Sequence, residues 1–284
     1  MNEAQHTNSG RDSFIRVIGA GMAVLGISLS GLAVGQDANW NVHPALQDRW
    51  SFDLGAYSPD IKSSASLNSS KNGTGTTVNL EDMLGLSDHK TVGEIQGRVR
   101  LGEKWRIEAE YFSLNRSSSR AISKDINWGD NTYHVGTTVA SQFDSDIFRL
   151  SLGYSFIKNT EGELGIAIGA HVTDFTTSLG AGNVGTVARD TLAPLPTIGL
   201  YGAYAFTPRW LLSGRGDIFS IKYGDYDGTL VNVTAKVDYR VSRHFGVGVG
   251  YRYVDYDVNM TKPRFTGNIN YVFNGPTVYA TTSF

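Results

Sequence analysis

The residues best able to do chemistry in this chain recur at a spacing of two. Glu108 and Glu110 stand two apart, as do Arg98 and Arg100, Arg215 and Asp217, and the series Lys236, Asp238, Arg240. On a strand that spacing puts each set on one face. Two carboxylates on one face could cleave a glycosidic bond as an acid and base pair. The plainer reading is structural, because Arg98 and Arg106 on and beside the adjacent strand would neutralise both acids. His171 alternates with Gly165, Ala167 and Gly169. As a general base it would need a serine and a carboxylate within hydrogen-bond reach, and a histidine simply accommodated on an interior face is again the plainer reading. Asp144 with Asp146, Asp225 with Asp227 and Asp255 with Asp257 are alternating acids that could hold Ca²⁺, but none completes a calcium-loop pattern, and turn chemistry accounts for the acids between Gly224 and Gly228. No phosphate loop, HExxH metal site or nucleophile elbow occurs. The absence of cysteine excludes thiol catalysis and cysteine metal sites. Neither cofactor nor metal is expected.

The elements that must position these side chains are strands. In the stretch 197–217, Ile198, Leu200, Gly202, Tyr204 and Phe206 fall on one face, Thr-Pro-Arg reverses the chain, and Trp210 and Leu212 resume that face. Two aromatics therefore flank a tight turn and point the same way. The unit recurs. Trp50, Phe52, Leu54 and Ala56 form one apolar face; Ile95, Val99 and Leu101 the next; Trp105, Ile107, Ala109 and Tyr111 a third. Later faces are Phe148 to Phe156, Leu164 to Val172, Val231 to Tyr239 and Phe245 to Tyr253, each at alternate positions. Aromatics gathered at turns on the apolar face are the interfacial girdle of a membrane barrel, here Trp50, Trp105, Phe156, Phe206, Trp210, Phe245 and Phe284. The fold class expected is all-β, a single antiparallel transmembrane β-barrel.

The amino-terminal segment reads differently. A polar start ending in Arg11, Asp12 and Arg16 leads into an uncharged run from Val17 to Gly35, with Ala33 and Gly35 at the minus-three and minus-one positions before Gln36. That pattern predicts a signal peptide over 1–35; an uncleaved anchor is the alternative, and the small residues and glycines favour cleavage. Residues 36–48 form a periplasmic lead-in without period, and 49–284 the barrel. The chain carries 25 basic and 27 acidic residues, and removing 1–35 takes two of each sign, so the balance stays at −2 and gives no case for a nucleic-acid partner. After residue 35 no apolar run is long enough for a membrane helix.

The turns sort into two populations: short ones near 103, 160, 208 and 243, and long polar ones at 58–90, 115–143, 178–193, 222–229 and 257–264. Short periplasmic turns and long external loops are the asymmetry of an outer-membrane barrel. The first long loop is expected to extend the strands, with 78–86 folding back into the barrel mouth. At the carboxy terminus the apolar face is odd-numbered in 264–273 and even-numbered in 276–284, which calls for a hairpin or for one long strand with a bulge at Gly275-Pro276. An even strand count selects the bulge and about ten strands, with eight or twelve as alternatives. The terminal Phe284 looks like the carboxy-terminal signature of proteins inserted by the barrel-assembly machinery. The segments Leu80-Glu-Asp-Met-Leu-Gly-Leu86, Gly224-Asp-Tyr-Asp-Gly228 and Gly250-Tyr-Arg-Tyr-Val-Asp-Tyr256 resemble those of a group of uncharacterised proteobacterial outer-membrane β-barrel proteins. The resemblance implies the fold and an address in the cell outer membrane, among its lipid and lipopolysaccharide, and brings no reaction with it.

On this register the lumen receives Asp53, Glu94, Glu108, Glu110, Asp217 and Asp238 together with Arg98, Arg100, Arg106, Arg149, Arg215, Lys236, Arg240, Arg252 and His171. Charges confined in one narrow interior must neutralise one another. Such a network is either a plug or the lining of a thin aqueous path, and the small bore of about ten strands favours the plug. The function expected is non-enzymatic, a narrow passive channel or a structural barrel with exposed loops. The rivals are a lipid-modifying hydrolase using His171 or His134, and a surface adhesin acting through loops 58–90 and 115–143.

Overall fold

Period-two alternation becomes a closed sheet in a computed structural model that describes residues 40–69, 75–182, 184–223, 226–262 and 265–284. Ten strands make the wall. They are β1 (Trp50–Tyr57), β4 (Val92–Leu101), β5 (Trp105–Ala121), β8 (Thr138–Lys158), β9 (Gly162–Ala181), β10 (Gly185–Ala205), β11 (Trp210–Tyr223), β12 (Tyr226–Arg240), β13 (Phe245–Lys262) and β14 (Phe265–Ser283). Each pairs antiparallel with the next, and β1 pairs with β14 to close the ring. Closure leaves no free edge, the condition for strands to cross a bilayer. The remaining short strands are β2 (Asp60–Ser69), β3 (Val78–Asn79), β6 (Ile126–Trp128) and β7 (Asn131–Tyr133). A four-residue helix, α1 (Pro44–Gln47), precedes β1.

The short turns fall where expected, between β4 and β5, β8 and β9, β10 and β11, and β12 and β13. The long loops do not. Residues 115–121, 138–143, 178–181 and 185–193 continue β5, β8, β9 and β10, so the polar stretches are chiefly hairpin. Strands of about 20 residues rise roughly 65 Å along their axes, far more than the ~25 Å apolar band of an outer-membrane barrel, and the surplus stands outside the membrane. Serine- and threonine-rich sequence concealed this because the extension faces water on one side.

β14 is one strand, which confirms ten, but it carries no bulge. Its register against β13 runs unshifted from Phe245↔Thr282 to Lys262↔Phe265, and the line of pairing with β1 and β2 is equally continuous. The change of parity is a change of environment. Odd-numbered residues face inward throughout: Thr277, Tyr279, Thr281 and Ser283 below, Ile269, Tyr271 and Phe273 above. Below, lipid covers the outside and the inside is polar. Above, water covers the outside and the inside is apolar. The register shift lies instead in β8 against β9, between Ser155 and Ile157 beside a short turn, a usual place for a bulge.

The external half thus has a core of its own. Tyr57, Phe112, Phe143, Phe175, Tyr256, Tyr271 and Phe273 are almost wholly buried there, with ring contacts such as Tyr57 to Phe112 at 5.6 Å and Phe143 to Tyr271 at 5.2 Å. Above Tyr57 the chain leaves β4 and continues as β2 along β14, which opens a gap between β2 and the upper part of β5. Residues 80–86 fill it. Leu80, Leu84 and Leu86 are buried in the external core, and Glu81 accepts from Ser63 N at 2.9 Å, Ser63 Oγ at 2.6 Å and Arg116 Nη1 at 2.6 Å.

Candidate functional site: the closed lumen

Inside the membrane-level half, every charged residue assigned to the lumen by its sequence position points inward. At the centre stands Glu108, in contact with Arg106 at 3.2 Å, Arg149 at 3.5 Å and Arg215. Arg215 also clasps Asp217 with two bonds of 2.7 Å. Arg149 reaches past Glu108 to Glu110 at 2.7 Å, and Arg252 joins Glu110 to Glu94, the latter at 3.1 Å. On the opposite wall Lys236 donates to Gln96 at 2.7 Å and approaches Asp53 at 3.4 Å, while Tyr279 donates to Asp238 at 2.9 Å. Contacts of this density offset the cost of burial at the centre of the network, where Glu108 meets three guanidinium groups and Glu110 two.

The structure keeps the expected contact of Arg106 with Glu108 and changes that of Arg98. Arg98 lies opposite Glu108 in the β4–β5 register, yet its guanidinium turns down to the Ala45 carbonyl at 3.0 Å. Arg100 does the same at 2.9 Å and also grips Glu163 with bonds of 2.8 and 2.6 Å. Glu163 was absent from the expected lumen because it adjoins the Lys158–Gly162 turn; counting back from Gly165 in twos would have found it. His171 faces inward, with Nε2 3.7 Å from Asp217 Oδ2, and neither ring nitrogen has a hydrogen-bond partner. Nothing joins it to a serine hydroxyl. Arg240 is inward and nearly inaccessible.

Two tyrosines the sequence did not single out complete the interior. Tyr201 lies across from Gly165, where a Cβ would stand 2.3 Å from its ring, and Tyr279 lies across from Gly248 in the same relation. The glycines leave room for rings inside a narrow wall. Tyr201 uses the room to cover Arg106, whose guanidinium carbon is 3.2 Å from the ring centroid, and hydrogen-bonds Ser155 at 2.9 Å.

The lead-in is also more than a tether. Helix α1 closes the mouth at the short-turn end: Ala45 and Leu46 are buried against Leu211, and the Ala45 carbonyl receives the two arginines. His43 caps the helix, its Nδ1 accepting from Ala45 N at 3.2 Å. Asp48 anchors the other end, taking Arg243 at 2.7 and 2.5 Å and Ser283 Oγ at 2.6 Å. Burial, with Arg240, Arg98 and Arg243 nearby, lowers the His43 pKa to about 3 against the weaker opposing pull of Asp48, so the imidazole is neutral. The Asp48 carboxylate raises the Arg243 pKa.

Outside, the seven aromatics proposed as a girdle lie near the short-turn end. Trp105, Phe156, Phe206, Trp210, Phe245 and Phe284 are exposed and Trp50 half-buried. Phe52, Tyr154 and Tyr239 join them through ring contacts with Trp50, Trp105 and Trp210. Of the acid pairs, Asp144, Asp146, Asp255 and Asp257 lie on strands; Asp225 and Gly224 lie outside the described residues. Among the described residues no three histidine or carboxylate side chains converge as a metal site.

A closed ten-strand antiparallel barrel, apolar on the outside of one half and charged within, defines the class: an outer-membrane β-barrel protein. No family model matches the sequence, and no curated protein matches it. Solved structures do. The outer membrane protease OmpT from Escherichia coli aligns at TM-score 0.58 with 13% identity, over 87% of this chain and 99% of that one. The translocator domain of autotransporter NalP from Neisseria meningitidis aligns at 0.43 with 10% identity, over 99% and 98%. OprG from Pseudomonas aeruginosa aligns at 0.35 with 11% identity, over 82% and 96%. The likeness is one of fold, and with the apolar belt it puts the chain in the bacterial outer membrane.

Proposed function

We propose that this chain is a non-conducting outer-membrane barrel whose lumen is a structural plug and does no chemistry, and whose external half is the working surface. The observation that carries this reading is closure in three tiers: α1 across the periplasmic mouth, the arginine–carboxylate network above it, and the aromatic core above that. The lumenal cavity left among these tiers has a volume of about 90 Å³. A water needs about 10–15 Å³ of such space, so the cavity holds a few waters and no solute. Glu108 and Glu110, the paired carboxylates, are each ion-paired with two or more arginines, and the cavity they line is too small for a substrate.

The test is conductance of the refolded chain in a planar bilayer. Insertion without current steps supports the plug, and it should stay silent in an Arg98→Ala, Glu108→Ala variant because the aromatic tier remains. Steps whose ion selectivity changes in that variant would restore the channel.

Surface adhesion through 58–90 and 115–143 is a second reading, favoured by the rigid core beneath those segments. Deleting residues 123–136 without loss of cell-surface binding would remove it. Contact of the outer wall with lipopolysaccharide, and recognition of Phe284 by the barrel-assembly machinery, belong to the same proposal. So does membership of the proteobacterial group whose motifs the chain resembles.

A further inference from the structure

The place where β1 gives way to β2 carries a second constellation, on the outer wall. β1 ends at Tyr57, paired with Val92. Pro59 then interrupts the ladder, but the register survives the break, because Asp60 and His89 form an isolated antiparallel bridge in line with it. In that register Ser58 stands opposite Thr91 and Asp60 opposite His89, and all four side chains fall on the outward face. Ser58 Oγ lies 3.1 Å from His89 Nε2, His89 Nδ1 lies 3.0 Å from Asp60 Oδ1, and Thr91 Oγ1 lies 2.7 Å from Ser58 Oγ.

The order of atoms matters more than the nearness. With Nδ1–H donated to the carboxylate, Nε2 keeps its lone pair and accepts the serine proton, the tautomer that nucleophilic catalysis requires. Thr91 fixes the direction of the serine hydroxyl. The other acid-bound histidines lack this arrangement: His134 meets Asp125 at 3.2 Å and His171 lies near Asp217, and among the described residues neither is hydrogen-bonded to a serine hydroxyl.

Height on the wall identifies the substrate. Ser58 donates its N–H to the Pro276 carbonyl, and Pro276 pairs with Tyr251; Asp60 pairs with Asn274, which pairs with Tyr253. Two exposed tyrosines therefore share the rows of Ser58 and Asp60, and directly beneath lie the exposed apolar residues Leu54, Val249 and Val278. Tyrosines at the edge of an apolar band mark the level of lipid headgroups, where acyl ester bonds lie. The side chains of His89 and Asp60 are 55% and 77% exposed, open to a lipid approaching from the side.

We propose that Ser58, His89 and Asp60 form a serine acyl-hydrolase site for the carboxylic esters of membrane lipids. Ser58 Oγ attacks the ester carbonyl carbon while its proton passes to His89 Nε2. The bond to the lipid alcohol breaks, and that alcohol leaves with the proton. Water then adds to the acyl-serine, its proton passing to Nε2 and back to Ser58 Oγ, and the fatty acid departs. Ser58 and His89 are the catalytic residues, and Asp60 is a positioning residue. The site goes beyond the closed-barrel reading and does not depend on it.

The test uses the full chain folded in detergent and reconstituted into two kinds of vesicle, one of phosphatidylethanolamine and phosphatidylglycerol and one containing lipopolysaccharide. Fatty-acid release is followed by mass spectrometry, and a fluorophosphonate probe reports serine reactivity. The expected result is probe attached at Ser58, with release that Ser58→Ala and His89→Gln abolish and His134→Ala leaves unchanged. Release from the first vesicle alone assigns glycerophospholipid, and from the second alone the acyl chains of lipopolysaccharide; both support the site. Asp60→Asn should slow release about 10²- to 10⁴-fold and alter the pH–rate profile, which a merely structural cross-link would not do. Folded, inserted wild type that takes no probe and releases no fatty acid from either vesicle overturns the proposal, as does equal labelling of Ser58→Ala with its strand circular dichroism intact.

Discussion

Glu108 is held by Arg106, Arg149 and Arg215, so its loss is worth more than one contact. Glu108→Ala strands three buried guanidinium groups together and should cost about 3–5 kcal/mol in thermal unfolding, whereas replacing Arg215 and Asp217 together by Met and Leu should cost less than either single change. Gly165→Val should cost comparably by expelling the Tyr201 ring from its place over Arg106, visible as altered tyrosine absorbance. Which charges point inward was legible from a spacing of two alone. Which charges meet was not: Arg98 and Glu108 are register partners, yet the free Ala45 carbonyl claims Arg98, and that carbonyl comes from a segment with no periodicity to read. The outward triad was hidden for a related reason, since Ser58 and His89 sit 31 residues apart in stretches that sequence assigns to loop.

At the scale of elements, α1 and the external core extend beyond what patterning predicts. α1 docks with a neutral histidine. The undocked segment takes up a proton near pH 6.5, the docked one only near 3, so docking is at full strength above about 6.5 and weakens as the pH falls through that window. The groups opposing protonation are Arg98 on β4, Arg240 on β12 and Arg243 on the β12–β13 turn, with Asp48 favouring it. Fluorescence of Trp40, which donates to the Pro208 carbonyl at 2.8 Å, should therefore report undocking on acidification to about pH 4, and His43→Asn, which keeps the cap without the titration, should flatten the response. In the external half, Phe273→Ala should cost about 3–5 kcal/mol, while Val249→Ala on the lipid face costs well under half of that. Alternation alone identifies a strand's two faces but not which solvent bathes each, and so it turned one continuous β14 into a bulged one.

For the whole molecule, strand count and closure were legible because they follow from period and parity, each a property of the chain itself; turn length predicts in addition which end faces the periplasm. The chain has no cysteine, so sidedness can be checked with single introduced thiols. Asp130→Cys on an external hairpin should react with a membrane-impermeant maleimide on intact cells, and Glu103→Cys at a short turn should react only after lysis. The inversion of solvent along each strand carries a further consequence for how this sequence can drift. In a complete substitution scan, positions intolerant of charge would alternate along the lower half of every strand and, in the strands that continue past the Tyr57 level, shift phase by one residue there. Homologous barrels could therefore lengthen or trim their upper halves under the rules of water-soluble proteins while the lower halves change under the rules of lipid, two rates of divergence within single hydrogen-bonded strands.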